Sequence, residues 1–300
     1  MQARYINPYT DFGFKKIFGE EVSKPLLIDF LNSLLPAHHQ IVQLNFKNTE
    51  QFGQNDYVRK AIYDVYCENE KGEKFIVELQ KAKQVFFKDR MVYYSTFPIQ
   101  EEAKKGASWN FELKAVYCIG ILDFTFDDYE SEPERSEVIH TVQLKNQNNK
   151  IFYDKLTFIY LEMPNFKKQE QELQTRLEQW LYFLKNLEDL QHIPHIFRDE
   201  VFLQAFETAE LSKLTQEDWL HYERNLNTYR DYKNTVDTAF DDGKIEGKIE
   251  GKIEGKIEGK IEGKIEGKIE IARKMKQFGE SLEKIMAYTG LSQTEIESLK

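Results

Sequence analysis

Cysteine is nearly absent from this 300-residue chain; Cys67 and Cys118 are the only two. Both lie in apolar, strand-like runs, so no disulfide framework is available and a reducing, cytoplasmic setting is expected. Long hydrophobic runs are missing as well. The longest strongly apolar stretch, residues 115–122, is far short of the ~20 residues that span a bilayer. The opening MQARYINPYTDFG has no apolar core of a signal peptide, so neither a membrane protein nor a secreted one is expected. Glycine-rich phosphate loops, a nucleophile elbow and Cys/His clusters are also lacking. His38 and His39 follow Pro36 without zinc spacing, and nothing calls for an organic cofactor. Finally, cationic excess is lacking: 41 Lys and Arg face 51 Asp and Glu, a formal charge of −10. Taken whole, that balance argues against nucleic acid, whose binding domains are usually basic.

What is present changes that last inference. Residues 1–122 carry 16 basic and 15 acidic side chains, residues 123–242 carry 13 and 25, and residues 243–300 carry 12 and 11. The acidity belongs to the middle. Residues 81–105 hold 6 basic against 3 acidic side chains, a local excess that can offset phosphate repulsion. The apolar fraction of 41%, with 14% aromatics, is enough for a sizeable core.

Four regions follow from the patterning. Residues 1–162 alternate helix and strand signals. Ser23 and Pro25 open a helix through LLIDFLNSLL that ends before Pro36; strands are expected at 41–46, 60–67 and 74–80, the last two joined by a turn at Lys71-Gly72. A helix over 86–105 with Pro98 inside it ends at Gly106. Residues 114–122 read as a strand buried on both faces, and 137–144 and 151–161 extend the sheet. The fold class is α/β, a mixed sheet in the order α-β-β-β-α-β flanked by helices. Residues 163–242 read as a helical subdomain with helices over 169–187, 197–211 and 217–240, where Trp180, Tyr182 and Phe183 are core.

Residues 243–270 are the tetrapeptide GKIE seven times over. As a helix, each repeat turns ~400°, so the isoleucines drift by ~40° per repeat and no fixed stripe forms. Lys meets Lys and Glu meets Glu at i,i+4, and each Gly costs up to ~1 kcal/mol relative to Ala. A helix or fraying linker is preferred to a period-2 strand. Residues 271–300 form a helix-turn-helix-like hairpin, with a stop at Thr289-Gly290 and a Ser292…Glu295 capping box. Its second helix offers only Lys300 as a base, so a helical cap or protein contact is preferred to a DNA reader.

Two polar intrusions interrupt apolar strands: Asp64 in AIYDVYC, and Glu78 with Gln80 in FIVELQKA. Glu78 and Gln80 project from one face, and a hairpin brings Asp64 opposite Glu78. Such carboxylates repel unless a cation sits between them. Two hard oxygen ligands with room for water suit Mg²⁺, with Mn²⁺ or Ca²⁺ as alternatives. By spacing alone the pattern is common, and solvated edge positions explain it equally well.

The segments NPYTDFGFKKIFG, AIYDVYC, FIVELQ, DRMVYYSTFPIQEEAKKG and AVYCIGIL occur in this order. Together they resemble the Rpn family of recombination-promoting nucleases and transposases, in the PD-(D/E)XK nuclease superfamily, over roughly residues 5 to 290. The resemblance implies metal-dependent DNA cleavage, with Asp64 as the first acidic residue and Glu78-Leu79-Gln80 as the E-x-K element. Asp64, Glu78 and the Leu79 carbonyl then hold the metal while Gln80 helps place the water. Gln80 stands where a Lys is usual and donates neutral hydrogen bonds in place of a charge. Accessory candidates are Asp11, equally a helix cap; Lys15 or Lys16, of which one is a solvated face; and Arg90 and Tyr94, which otherwise pair with a carboxylate and fill the core. DNA is the implied partner, and a double-strand cut implies a homodimer. The alternative is a nuclease-like module, weakened at Gln80 and kept for DNA or protein binding.

Overall fold

The computed structural model describes residues 3–36, 39–51, 60–102, 110–127 and 131–299. The expected roles of His38, Gly106 and Lys300 lie outside those residues. Contacts divide the chain into two compact units, 1–229 and 230–300.

The first unit opens with α1 (Asp11–Phe18) and α2 (Lys24–Leu34), followed by β1 (Leu44–Phe46), β2 (Glu50–Gln51), β3 (Ala61–Ile62), β4 (Val65–Asn69) and β5 (Lys74–Gln80). Helix α3 (Phe87–Glu101) crosses over to β6 (Val116–Leu122); α4 (Glu132–Ser136), β7 (Ile139–Lys145) and β8 (Ile151–Glu162) follow. The main sheet has the order β1-β4-β5-β6-β8-β7. β1, β4 and β5 are antiparallel neighbours, whereas β5, β6 and β8 run parallel. This is the α-β-β-β-α-β order read from the sequence, in an α/β fold.

Period-2 alternation sorts side chains to two faces. Val65, Cys67, Phe75, Val77, Tyr117 and Ile119 face α1, α2 and the later helices, in a core shared with Trp180, Phe183 and Phe202. Tyr66, Ile76, Cys118, Leu122 and Tyr160 face α3 through Phe87 and Met91. Cys67 and Cys118 are free, buried and on opposite faces. All of β6 is buried. Burying a large apolar side chain is worth ~1.5–3 kcal/mol, so this central strand anchors the sheet.

Side chains set several boundaries inside the expected spans. β1 begins at Leu44 because the amides of Ile41, Val42 and Gln43 donate to Asn32 and Glu70 side chains. Ser23 does not cap α2; its hydroxyl donates to the Lys16 carbonyl. Helix α5 (Arg176–Asn186) starts at a Thr175–Glu178 capping box, and α6 (Glu200–Thr208) starts where Asp199 accepts the Phe202 amide. Trp180 is fully buried, its indole N–H donating to Asp29 at 2.6 Å, and the core of this unit runs without interruption across residue 162.

α7 (Gln216–Gln277) contains all seven repeats as helix. Within the second unit, a Cβ placed on any repeat glycine meets no neighbouring atom, and the repeat isoleucines from Ile245 to Ile265 stay about half exposed. Helices α8 (Leu282–Thr289) and α9 (Gln293–Ser298) close a small core of Ala272, Ile285 and Ile296. Gly290 ends α8 at φ +69°, and the Ser292–Glu295 capping box opens α9. Among the described residues, no helix is long and apolar enough to cross a membrane.

Candidate functional site

The segment before the site is built by its own polar side chains. Thr10 caps α1, accepting the Gly13 amide at 2.9 Å, while its hydroxyl donates to the Asn7 carbonyl at 2.8 Å. A Cβ on Gly13 would lie 2.2 Å from the Asn7 oxygen, so only glycine permits this close turn. Asp11 is thereby the first helical residue and not the cap. Its carboxylate pairs with Lys15 at 3.0 Å, both side chains being partly exposed.

The strand expected over 60–67 breaks at Asp64. β3 pairs with β2 in a separate ribbon, and β4 resumes the main sheet at Val65 opposite Val77. At the break, the Asp64 amide donates to Glu78 Oε1 at 3.2 Å. In return, the Leu79 amide donates to Asp64 Oδ2 at 2.7 Å. Each carboxylate is therefore held by the backbone of the other's segment. Among the described residues, Asp64 Oδ1 and Glu78 Oε2 have no hydrogen-bond partner.

Glu78 is only 6% exposed. Burial first, then the neighbouring Asp64 charge, pushes its carboxyl well above the usual range, against opposition from Arg90 and Lys15. Asp64 is also raised, mainly by burial; the Leu79 amide opposes the shift, the Asp11 charge adds to it, and Lys15 and Lys81 oppose it. Gly120 lies beside Glu78 on β6, and a Cβ there would press to 3.0 Å on the Tyr160 ring. A side chain at that position would crowd the floor of the site.

Gln80 is engaged at both ends. Its Oε1 accepts from Arg90 Nη2, and its Nε2 donates to the Ala82 carbonyl at 2.8 Å. Arg90 also donates to Gln84 at 2.8 Å and lies over the Phe87 and Tyr94 rings. Tyr94 is raised by burial and then by the Glu78 charge, and its carbonyl accepts the Tyr63 hydroxyl at 3.0 Å. The structure thus brings together Asp64, Glu78, Arg90 and Tyr94, with Asp11 and Lys15 close enough to be felt electrostatically. Lys16 turns away to Glu20 and Asp218.

Sequence reasoning missed Lys81. Burial lowers its pKa, the charges of Asp11 and Asp64 oppose that shift, and its ammonium lies 5.9 Å from the Tyr229 ring centroid. The signal was the string ELQK, in which a cation stands one place after the missing one. Asp123 was missed too; its amide donates to the Gln80 carbonyl and its carboxylate accepts from Tyr229.

Among the described residues, no group of three or more His, Cys, Asp or Glu is arranged to hold a metal ion. The site offers instead the buried Glu78 and the half-buried Asp64, each with one carboxylate oxygen free of hydrogen bonds and both destabilised as anions. That donor set fits a hard divalent cation that retains several waters.

A mixed sheet whose antiparallel hairpin delivers a carboxylate pair before a crossover helix is the core of a nuclease-type α/β fold. The chain belongs to the PD-(D/E)XK nuclease family transposases: that family's model matches residues 8–239. No curated protein and no solved structure matches it. Nucleases of this class generally use divalent metals, and DNA is their substrate.

Proposed function

We propose that the protein is a metal-dependent DNA endonuclease that hydrolyses phosphodiester bonds, with Asp64, Glu78 and the Leu79 carbonyl holding Mg²⁺ or a similar ion. The observation that carries this reading is the reciprocal bracing of a buried and a half-buried carboxylate, which holds two acidic side chains together at an electrostatic cost. Bound there, the ion supplies Lewis acidity and positive charge for attack at phosphorus. The chain's own residues do the rest. Asp64 and Glu78 present fixed anionic oxygens, Lys15, Lys81 and Arg90 bring cations to the phosphate, and the Tyr94 ring supports the Arg90 guanidinium. Gln80 acts as a positioning residue that holds Arg90 in place. A homodimer supplies the two sites that a double-strand cut needs.

The test is plasmid nicking by the full chain with Mg²⁺, Mn²⁺ and Ca²⁺, beside Asp64→Ala. The variant should lose at least ~100-fold in rate, the scale of removing one positioned electrostatic group. Undiminished metal-dependent nicking by the variant would put the site elsewhere. DNA binding without cleavage by the wild type would favour a non-catalytic binding module.

A further inference from the structure

Between Gln80 and Phe87 the chain makes a turn that leaves Val85 90% and Phe86 73% exposed. An isolated apolar surface residue is ordinary; these two form a ridge with a groove on each side. One groove, of about 590 Å³, is lined by Gln84, Val85, Phe86, Asp89, Arg90 and Tyr93. The other, of about 380 Å³, is lined by Lys83, Gln84, Val85, Lys88, Phe126 and Asp127. Arg90 is the wall shared by the first groove and the carboxylate site, since it is hydrogen-bonded to Gln80. Its Nε is buried without a hydrogen bond. Residues 81–90 carry four basic side chains and one acidic.

We propose that this turn is an apolar wedge that stacks beside an unpaired base of the DNA substrate, so that the protein prefers duplex interrupted by a mismatch. The proposal rests on the nuclease reading and names the substrate class for that site. Three features select DNA as the occupant. The apolar tip is flanked by Lys83, Lys88 and Arg90 against Asp89 and Asp127, of which Asp127 pairs with Lys83, and this net positive frame suits a polyanion. The first groove shares Arg90 with the candidate cleavage site. Apolar side chains that enter a base step unstack it at a cost of a few kcal/mol, a cost already met at a mismatch. An aromatic ring then supplies a stacking platform that tolerates any base.

The experiment compares the full-length wild type with Phe86→Ala, whose side chain is at the surface; matching circular dichroism confirms the fold. Affinity is measured without added metal for two duplexes, one fully paired and one with a central mismatch carrying 2-aminopurine. Wild type should bind the mismatched duplex more tightly and change the 2-aminopurine fluorescence. Phe86→Ala should weaken that binding by roughly 5- to 150-fold, the measured range of one base–aromatic stack, and leave fully paired duplex within about twofold. Equal wild-type affinity for the two duplexes, or a preference that survives in Phe86→Ala, overturns the wedge. So does a wild-type oligomer that Phe86→Ala converts to monomer without any mismatch preference; the face would then belong to a second copy. Loss of metal-dependent nicking by the wild type overturns the nuclease reading separately, because binding is measured without metal.

Discussion

Glu78→Gln changes the charge of the site while keeping its shape, since the introduced amide oxygen can still accept the Asp64 amide. The two carboxylates stand one residue beyond the Val65–Val77 pair, where the ladder stops; at the ordinary cross-strand spacing their Cβ atoms would lie about 5 Å apart. At an effective dielectric of about 20, two unit charges at that separation repel by roughly 3 kcal/mol. Arg90 and Lys15 return part of this, leaving a net cost on the order of 1–2 kcal/mol. Both carboxyls are raised in the folded state, so the fold holds their protons more tightly than the unfolded chain does. Their contribution to stability is complete below the ordinary carboxylate value of about 4 and is lost as pH rises through the raised folded values. In EDTA, the variant should melt with wild type near pH 4.5 and above it at pH 8, by ~2–8 °C for a unit of this size. Magnesium should then reverse the order. At about a hundred times its dissociation constant it stabilises wild type by about 2.7 kcal/mol, more than the roughly 1–2 kcal/mol it must overcome, and it should leave the variant unmoved. Thermal unfolding across pH and Mg²⁺ concentration reads both effects. A variant less stable than wild type at pH 8 in EDTA, or one with an undiminished Mg²⁺ response, would refute the reasoning.

Gln80→Lys sets a second cation against Arg90 and removes its acceptor, so it should cost ~1–3 kcal/mol; adding Arg90→Gln should recover most of that. Additive energies in a denaturant double-mutant cycle would show that the two side chains do not communicate. Replacing the seven repeat glycines by alanine meets open space at every site and should raise the helical melt seen by circular dichroism, by up to ~1 kcal/mol per position. An unchanged melt would mean that glycine is not what weakens this helix.

The central strands were legible because their burial is written into composition: β5 and β6 are apolar on both faces, and helices with a 3.6-residue period flank them. Asp64 and Glu78 stood out for the same reason, as charges where nothing else is charged. Less visible was the break at Asp64, because the partner that replaces its ladder bond is a side chain fourteen residues away. The late starts of β1 and α5 have the same origin, in amides claimed by Asn32, Glu70 and a capping box. The hydrogen bond from Arg90 to Gln80 was not legible either, because it joins the end of β5 to a helix ten residues on. Lys81 escaped notice because its relevance depends on α1 and Tyr229 lying over the end of β5, and no local pattern encodes that tertiary placement.

The crossed hydrogen bonds at Asp64 and Glu78 also bear on how the sheet assembles. A hairpin paired one residue out of register would turn the Asp64 and Glu78 side chains to opposite faces of the sheet, so neither would meet the amide of the other's segment, and both carboxylates would be left without donors. The misaligned hairpin is thus penalised at the spot where the native one brings its two acidic side chains together. The carboxylate pair acts as a register gauge for β4 and β5, and a chain that has folded with this hairpin closed has, by the same act, set the distance between its two acidic groups.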